Sequence, residues 1–145
     1  MKIAMILLAF WLFAPGSSCR SSGPGSGAPM QGKEERLSTG VWGGQHIRAE
    51  VTERGAEIEF DCARGTIPKQ ITLNSSHEFD ISGTFAPEHG GPVRDDESTS
   101  GRPARYKGTL QQQELTLTIS DSNTKEVIGT FTLKFGNEGR LMKCR

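Results

Sequence analysis

The sequence predicts an all-β fold of about eight short antiparallel strands. They form a small up-and-down barrel, with a β-sandwich as the alternative arrangement. Three observations carry this expectation. Apolar residues recur at every second position from Thr39 onward, turn-forming residues interrupt the alternation at short intervals, and no segment has a helical period. Period two with one apolar face is the pattern of strands that bury one side and leave the other in water. Consecutive hairpins make a meander, and closure of a meander protects its edges.

The elements follow in order. Gly40-Val41-Trp42 opens a first strand. Ile47, Ala49 and Val51 alternate with His46, Arg48, Glu50 and Thr52 in the next, so His46 is placed on an outward strand face. Ala56, Ile58, Phe60 and Cys62 form one apolar face, which puts Cys62 inward. Shorter runs follow at Ile71 and Leu73, then at Phe79, Ile81, Gly83 and Phe85. Tyr106, Gly108 and Leu110 make another strand, and Leu115, Leu117 and Ile119 the next. Val127, Gly129, Phe131, Leu133 and Phe135 face inward in the last long strand, and residues 140–144 form a short closing one. Glu53-Arg54-Gly55, Asn74-Ser75-Ser76 and Asp121-Ser122-Asn123 read as tight connections, because Gly, Asn and Asp tolerate positive φ.

Ahead of this domain lies a different kind of sequence. Lys2 precedes an apolar run over residues 3–14. As a helix that run rises about 18 Å, short of a hydrocarbon core of about 30 Å. It fits the core of a signal peptide, residues 1–18, better than a membrane span. Residues 19–38 then read as a disordered Gly/Ser/Pro linker, with an average reach of about 23 Å for a flexible coil. The β-domain is assigned to residues 39–145.

Gly16-Ser17-Ser18-Cys19 resembles the bacterial lipobox, in which a peptidase cuts before a cysteine that carries diacylglycerol. Ser17 and Ser18 are the small residues that pattern asks for, and Gly16 stands where it usually has Leu. The resemblance implies lipidation at Cys19 and a lipid-anchored protein of the cell envelope, in the outer membrane if the host has one. Arg20, where inner-membrane retention usually has Asp, agrees with the outer one. Cleavage nearby by an ordinary secretory peptidase leaves a periplasmic or secreted protein instead. If Cys19 carries lipid, Cys62 and Cys144 remain as one disulfide pair, and the alternative is two unpaired buried thiols.

Gly40-Val41-Trp42 also resembles the Gly-x-Trp of lipocalins and their barrel relatives. That likeness implies that Trp42 packs across a closed barrel end against a late basic residue, for which Arg140 is placed. Over a longer span, GVWGGQHIRAEVTERGAEIEFDCARGTI, EHGGPVR, PARYKGTL, IGTFTLKFG and RLMKC resemble a group of exported bacterial proteins with no assigned activity.

Charge and motifs narrow the function classes. Lys plus Arg and Asp plus Glu are equal at 17 each, so there is no basic field for nucleic acid. Removing residues 1–18 takes away Lys2 alone and leaves a net charge of about −1. No HExxH, CxxC or G-x-S-x-G occurs, and no metal, cofactor or catalytic residue is assigned. Ser122-Asn123-Thr124-Lys125 matches SxxK, but in a hairpin turn rather than at a helix start.

The connection over residues 86–104 is long and lacks periodicity, and such loops are functional or solvated flaps. Together with Trp42, its Glu88, His89, Arg94, Asp95 and Asp96 are the candidate ligand or partner site. The expected function is a non-enzymatic binding module held at the membrane through its N-terminal lipid. Its candidate partners are a small hydrophobic ligand near Trp42, Phe60, Phe79, Phe85 and Phe131, or an envelope protein. The alternatives are a protein-binding or inhibitory domain acting through the 86–104 loop and an enzyme using His89 with Glu88 or Asp95.

Overall fold

The computed structural model describes residues 34–88 and 101–144. Within them the chain is all β, with no helix and ten strands. Eight of these close into an antiparallel barrel: β2 (Gly40–Gly44), β3 (Ile47–Thr52), β4 (Gly55–Phe60), β5 (Ala63–Ile67), β7 (Glu78–Pro87), β8 (Arg102–Gln111), β9 (Glu114–Asp121) and β10 (Val127–Phe135). β10 returns to β2 through Lys134↔Gly43 and Phe135↔Trp42. The other two strands, β1 (Glu35–Arg36) and β6 (Thr72–Leu73), pair with each other outside the barrel.

Most of the expected inward faces are the observed ones, but Val127 and Phe135, expected inward on β10, are 60% and 42% exposed because they lie at the two ends of that strand. Ile47, Ala49, Val51, Ile58, Phe60, Ile81, Leu115, Leu117, Ile119 and Leu133 all lie in the buried core. Period two carries this, because alternate side chains cross the sheet.

Several boundaries differ from the sequence expectation, each for a physical reason. The strand expected to run on to Cys62 ends at Phe60, so Cys62 lies in the turn before β5. β5 was not expected, since its inward Ala63 and Gly65 give little hydrophobic signal. Residues 71–73 pair with Glu35–Arg36 rather than with a barrel strand. Residues 140–144 contribute a single parallel bridge, Gln45↔Arg140, and no strand. His46 sits in the β2–β3 turn at φ 64°, not on a strand face.

The assigned linker and loop are also shorter than expected. Glu35 and Arg36 are in β1 and Leu37 is 4% exposed, so the fold reaches back into residues 19–38. Leu37 brings an apolar side chain to the core, and its N–H donates to the Ile71 carbonyl at 3.1 Å. Of the 86–104 connection, Ala86 and Pro87 pair with β5, and Arg102, Pro103 and Ala104 pair with β7.

Antiparallel order fixes which connections share an end. The β2–β3, β4–β5, β7–β8 and β9–β10 connections lie at one end. Leu37, Ile71 and Leu73, all buried, accompany the other. No helix among the described residues is long and apolar enough to cross a membrane.

Candidate functional site

For the barrel interior the sequence leaves two readings, an apolar ligand or a core packed by the same aromatic residues, and favours the packed core. The interior is filled by the protein's own side chains. Trp42 is 2% exposed and Tyr106 is fully buried. A Cβ at Gly65 would overlap the Tyr106 Oη, and one at Gly83 would lie 2.8 Å from Tyr106 Cε2. A Cβ at Gly108 would overlap the Phe79 ring, and one at Gly129 would lie 2.7 Å from Phe131 Cε2. Aromatic rings therefore occupy the space that these glycines leave, which is how a small barrel fills its lumen. The Tyr106 hydroxyl donates to the Thr84 carbonyl at 2.6 Å, and burial pushes its acidity far below that of a free phenol.

Both halves of the lumen carry aromatic clusters. Phe60 lies 5.4 Å from Phe85 and 5.3 Å from Phe131 by ring centroids. The Arg102 guanidinium stands 5.5 Å above the Phe85 ring. Trp42 meets Phe135 edge-on at 5.1 Å, and its indole N–H donates to the Ser38 carbonyl at 2.9 Å. Phe135 thus meets the indole where Arg140 was expected. Arg140 is held through its backbone instead, donating to the Gly44 carbonyl and accepting from the His46 N–H, each at 2.8 Å.

Of the candidate site residues, Trp42 and Glu88 are described, while His89, Arg94, Asp95 and Asp96 lie outside the described residues. Trp42 is a core residue. Glu88 is at the β7 end, where its N–H donates to the Cys62 carbonyl at 2.7 Å and its carboxylate meets Arg64 at 3.1 Å. The same end carries a polar cluster that the sequence did not reveal. Cys62 and Cys144 are joined by a disulfide with a Cα–Cα distance of 5.3 Å. Beside it, the Asp61 carboxylate accepts from the Met142 N–H at 2.7 Å and meets His46 Nδ1 at 2.6 Å. Those two partners, the Met142 amide first, hold the Asp61 carboxyl below the usual aspartate range. The signal for Asp61 was its place next to Cys62, but its partners are 15 and 81 residues away in sequence.

Asp121 is the second polar residue that alternation missed. It is buried at 7% exposure on the inward parity of β9. Its Oδ1 accepts the N–H groups of Asn123 at 2.8 Å and Thr124 at 3.1 Å, and Arg102 lies 3.6 Å from Oδ2. The two amides first, and Arg102 after them, lower its pKa. This is a turn cap, and it puts Ser122 and Lys125 in a hairpin turn rather than in a nucleophile arrangement.

A groove of about 880 Å³ runs along the outside of β7, β8 and β9 beside the β1–β6 pair. Glu35, His77, Glu78, Asp80, Lys107 and Thr116 line it. The Glu35 carboxylate meets His77 Nδ1 at 2.8 Å across its wall. No group of three or more His, Cys, Asp or Glu among the described residues could hold a metal ion.

Comparison with protein-family models, with curated proteins and with solved structures returns no match.

Proposed function

We propose that this chain is a bacterial envelope lipoprotein. It is tethered through acylated Cys19 and presents a disulfide-closed β-barrel as a non-enzymatic binding module. The observation that carries this reading is the Cys62–Cys144 bond. The sequence has three cysteines, and that bond engages two, so Cys19 in its lipobox-like setting is the one left for lipid. A disulfide also agrees with an oxidising compartment.

The filled lumen supports binding on the outer surface rather than inside. A hydrophobic ligand would have to displace Tyr106, Phe79 or the Phe60 group from close contacts. The outer groove beside the β1–β6 pair and the Arg64–Glu88 pair offer polar groups that suit a protein partner.

The test is the intact mass of protein taken from its native membrane, before and after reduction. The expected result is residues 19–145 plus three acyl chains, with a gain of about two daltons on reduction for one disulfide. An unlipidated mass would sink the tether and leave the periplasmic or secreted reading. Titration with an apolar fluorescent probe checks the surface reading. No saturable binding is expected, and a stoichiometric site would show that the lumen opens.

A further inference from the structure

The barrel closes unevenly. β7 and β8 share eight register pairs, from Glu78↔Thr109 to Phe85↔Arg102, whereas β10 and β2 share two. Residues 136–144 leave the end of β10 beside this short junction. They run over the outer face of β2, where a Cβ at Gly43 would overlap the backbone of Asn137 and Gly139. Only a side chain without Cβ lets the two backbones lie so close. Glu138 then meets Arg48 of β3 at 3.1 Å. Arg140 clasps the β2–β3 turn through its two backbone bonds. Met142 reaches Asp61, the Cys144 N–H donates to the Asp61 carbonyl at 3.3 Å, and the disulfide fastens the end to the β4–β5 turn.

We propose that residues 136–144 are a strap that buckles the β10–β2 junction, and that the Cys62–Cys144 disulfide is its redox latch. The strap has no strand pairing of its own beyond the one bridge at Arg140. Its hold depends on a few bonds and the covalent lock. A dithiol reductant opens the lock in two steps. Its thiolate attacks Cys144 Sγ, the more exposed sulfur-bearing residue of the pair, and Cys62 leaves as a thiolate and takes a proton. The second thiol of the reductant then displaces Cys144 from the mixed disulfide. Two electrons and two protons pass to the protein, and the reductant becomes a disulfide. Release bares the outer face of β2 at Gly43 and frees the Gly44 carbonyl and the His46 N–H. The device is independent of lipidation at Cys19.

Hydrogen exchange read by mass spectrometry tests this on the full chain, oxidised and then reduced with dithiothreitol. Reduction should speed exchange at His46, Arg140 and Met142 by about tenfold or more, while β7, β8 and β9 keep their protection. The Cys62→Ser, Cys144→Ser double variant should match the reduced chain. Unchanged exchange at His46 and Arg140 would overturn the proposal, because the strap would then hold without its latch. Uniform loss of protection through the barrel, or a double variant that does not fold, would overturn it too. The bond would then be a staple for the whole domain.

Discussion

Tyr106 and the glycines around it set the packing of the lumen at the scale of single residues. Gly65 and Gly83 leave the space that the ring and hydroxyl occupy, and Gly108 does the same for Phe79. Gly108→Ala should therefore lower stability by about 1–3 kcal/mol through overpacking, read as a lower denaturation midpoint with an unchanged m-value. Tyr106→Phe keeps the ring and strands the Thr84 carbonyl, at a cost of about 1–3 kcal/mol. If Tyr106→Phe costs nothing, water reaches that carbonyl and the lumen is not dry.

Acid response also belongs to residues. Asp61, Asp80 and Asp121 all have folded pKa values below the usual aspartate value. The main causes are the Met142 amide for Asp61, Arg105 for Asp80, and the turn amides for Asp121. A depressed carboxylate contributes stability above the unfolded pKa and loses it as pH falls through the folded value. Thermal stability should be level from about pH 7 to 5 and fall below about pH 4. Asp61→Asn should flatten part of that fall. A midpoint that drops equally in wild type and variant would mean that the carboxylate is not coupled to folding.

At the scale of elements, turns and caps decide where strands stop. Asp121 ends β9 by accepting two turn amides, so Asp121→Ala should loosen the β9–β10 hairpin. Amide exchange in residues 122–126 should rise, with little change in β3 and β4. Leu37 shows an element gained from outside the expected domain. Its burial with Ile71 and Leu73 fixes β1 against β6, and Leu37→Ala should cost about 2–5 kcal/mol. Alternation over five or more residues was enough to place β3, β4, β9, most of β7 and half of β8. β5 stayed hidden because Gly65 replaces a large apolar side chain at the centre of its inward face. The β8–β9 turn stayed hidden as well, since Gln112 takes a φ of 57° without being a usual turn residue.

For the whole molecule, the disulfide links positions 82 apart in sequence. For a latch that holds the strap alone, reduction should leave the barrel's stability within about 1 kcal/mol of the oxidised chain's, measured by denaturant titration with and without reductant. Among the described residues the barrel interior is packed, and the polar clusters lie at its ends and on its outer face. The candidate residues divide between them. Trp42 serves the core and Glu88 serves the end near the disulfide, although the sequence grouped them. The sequence could pair neither residue with its neighbours, because strand order and the spacing of ends appear only on closure.

The sequence alone determined the β class, the inward face of most strands, and the pairing open to Cys62 and Cys144 once Cys19 is set aside. These follow from local alternation and from counting, which need no partner in space. The tertiary structure decided that the barrel closes at β10 and β2. It decided which glycine each aromatic ring covers, and that the last residues form a strap instead of a strand. Those outcomes depend on contacts between positions far apart in the chain, such as Gly65 with Tyr106 and Asp61 with Met142, and no local pattern encodes which of them meet.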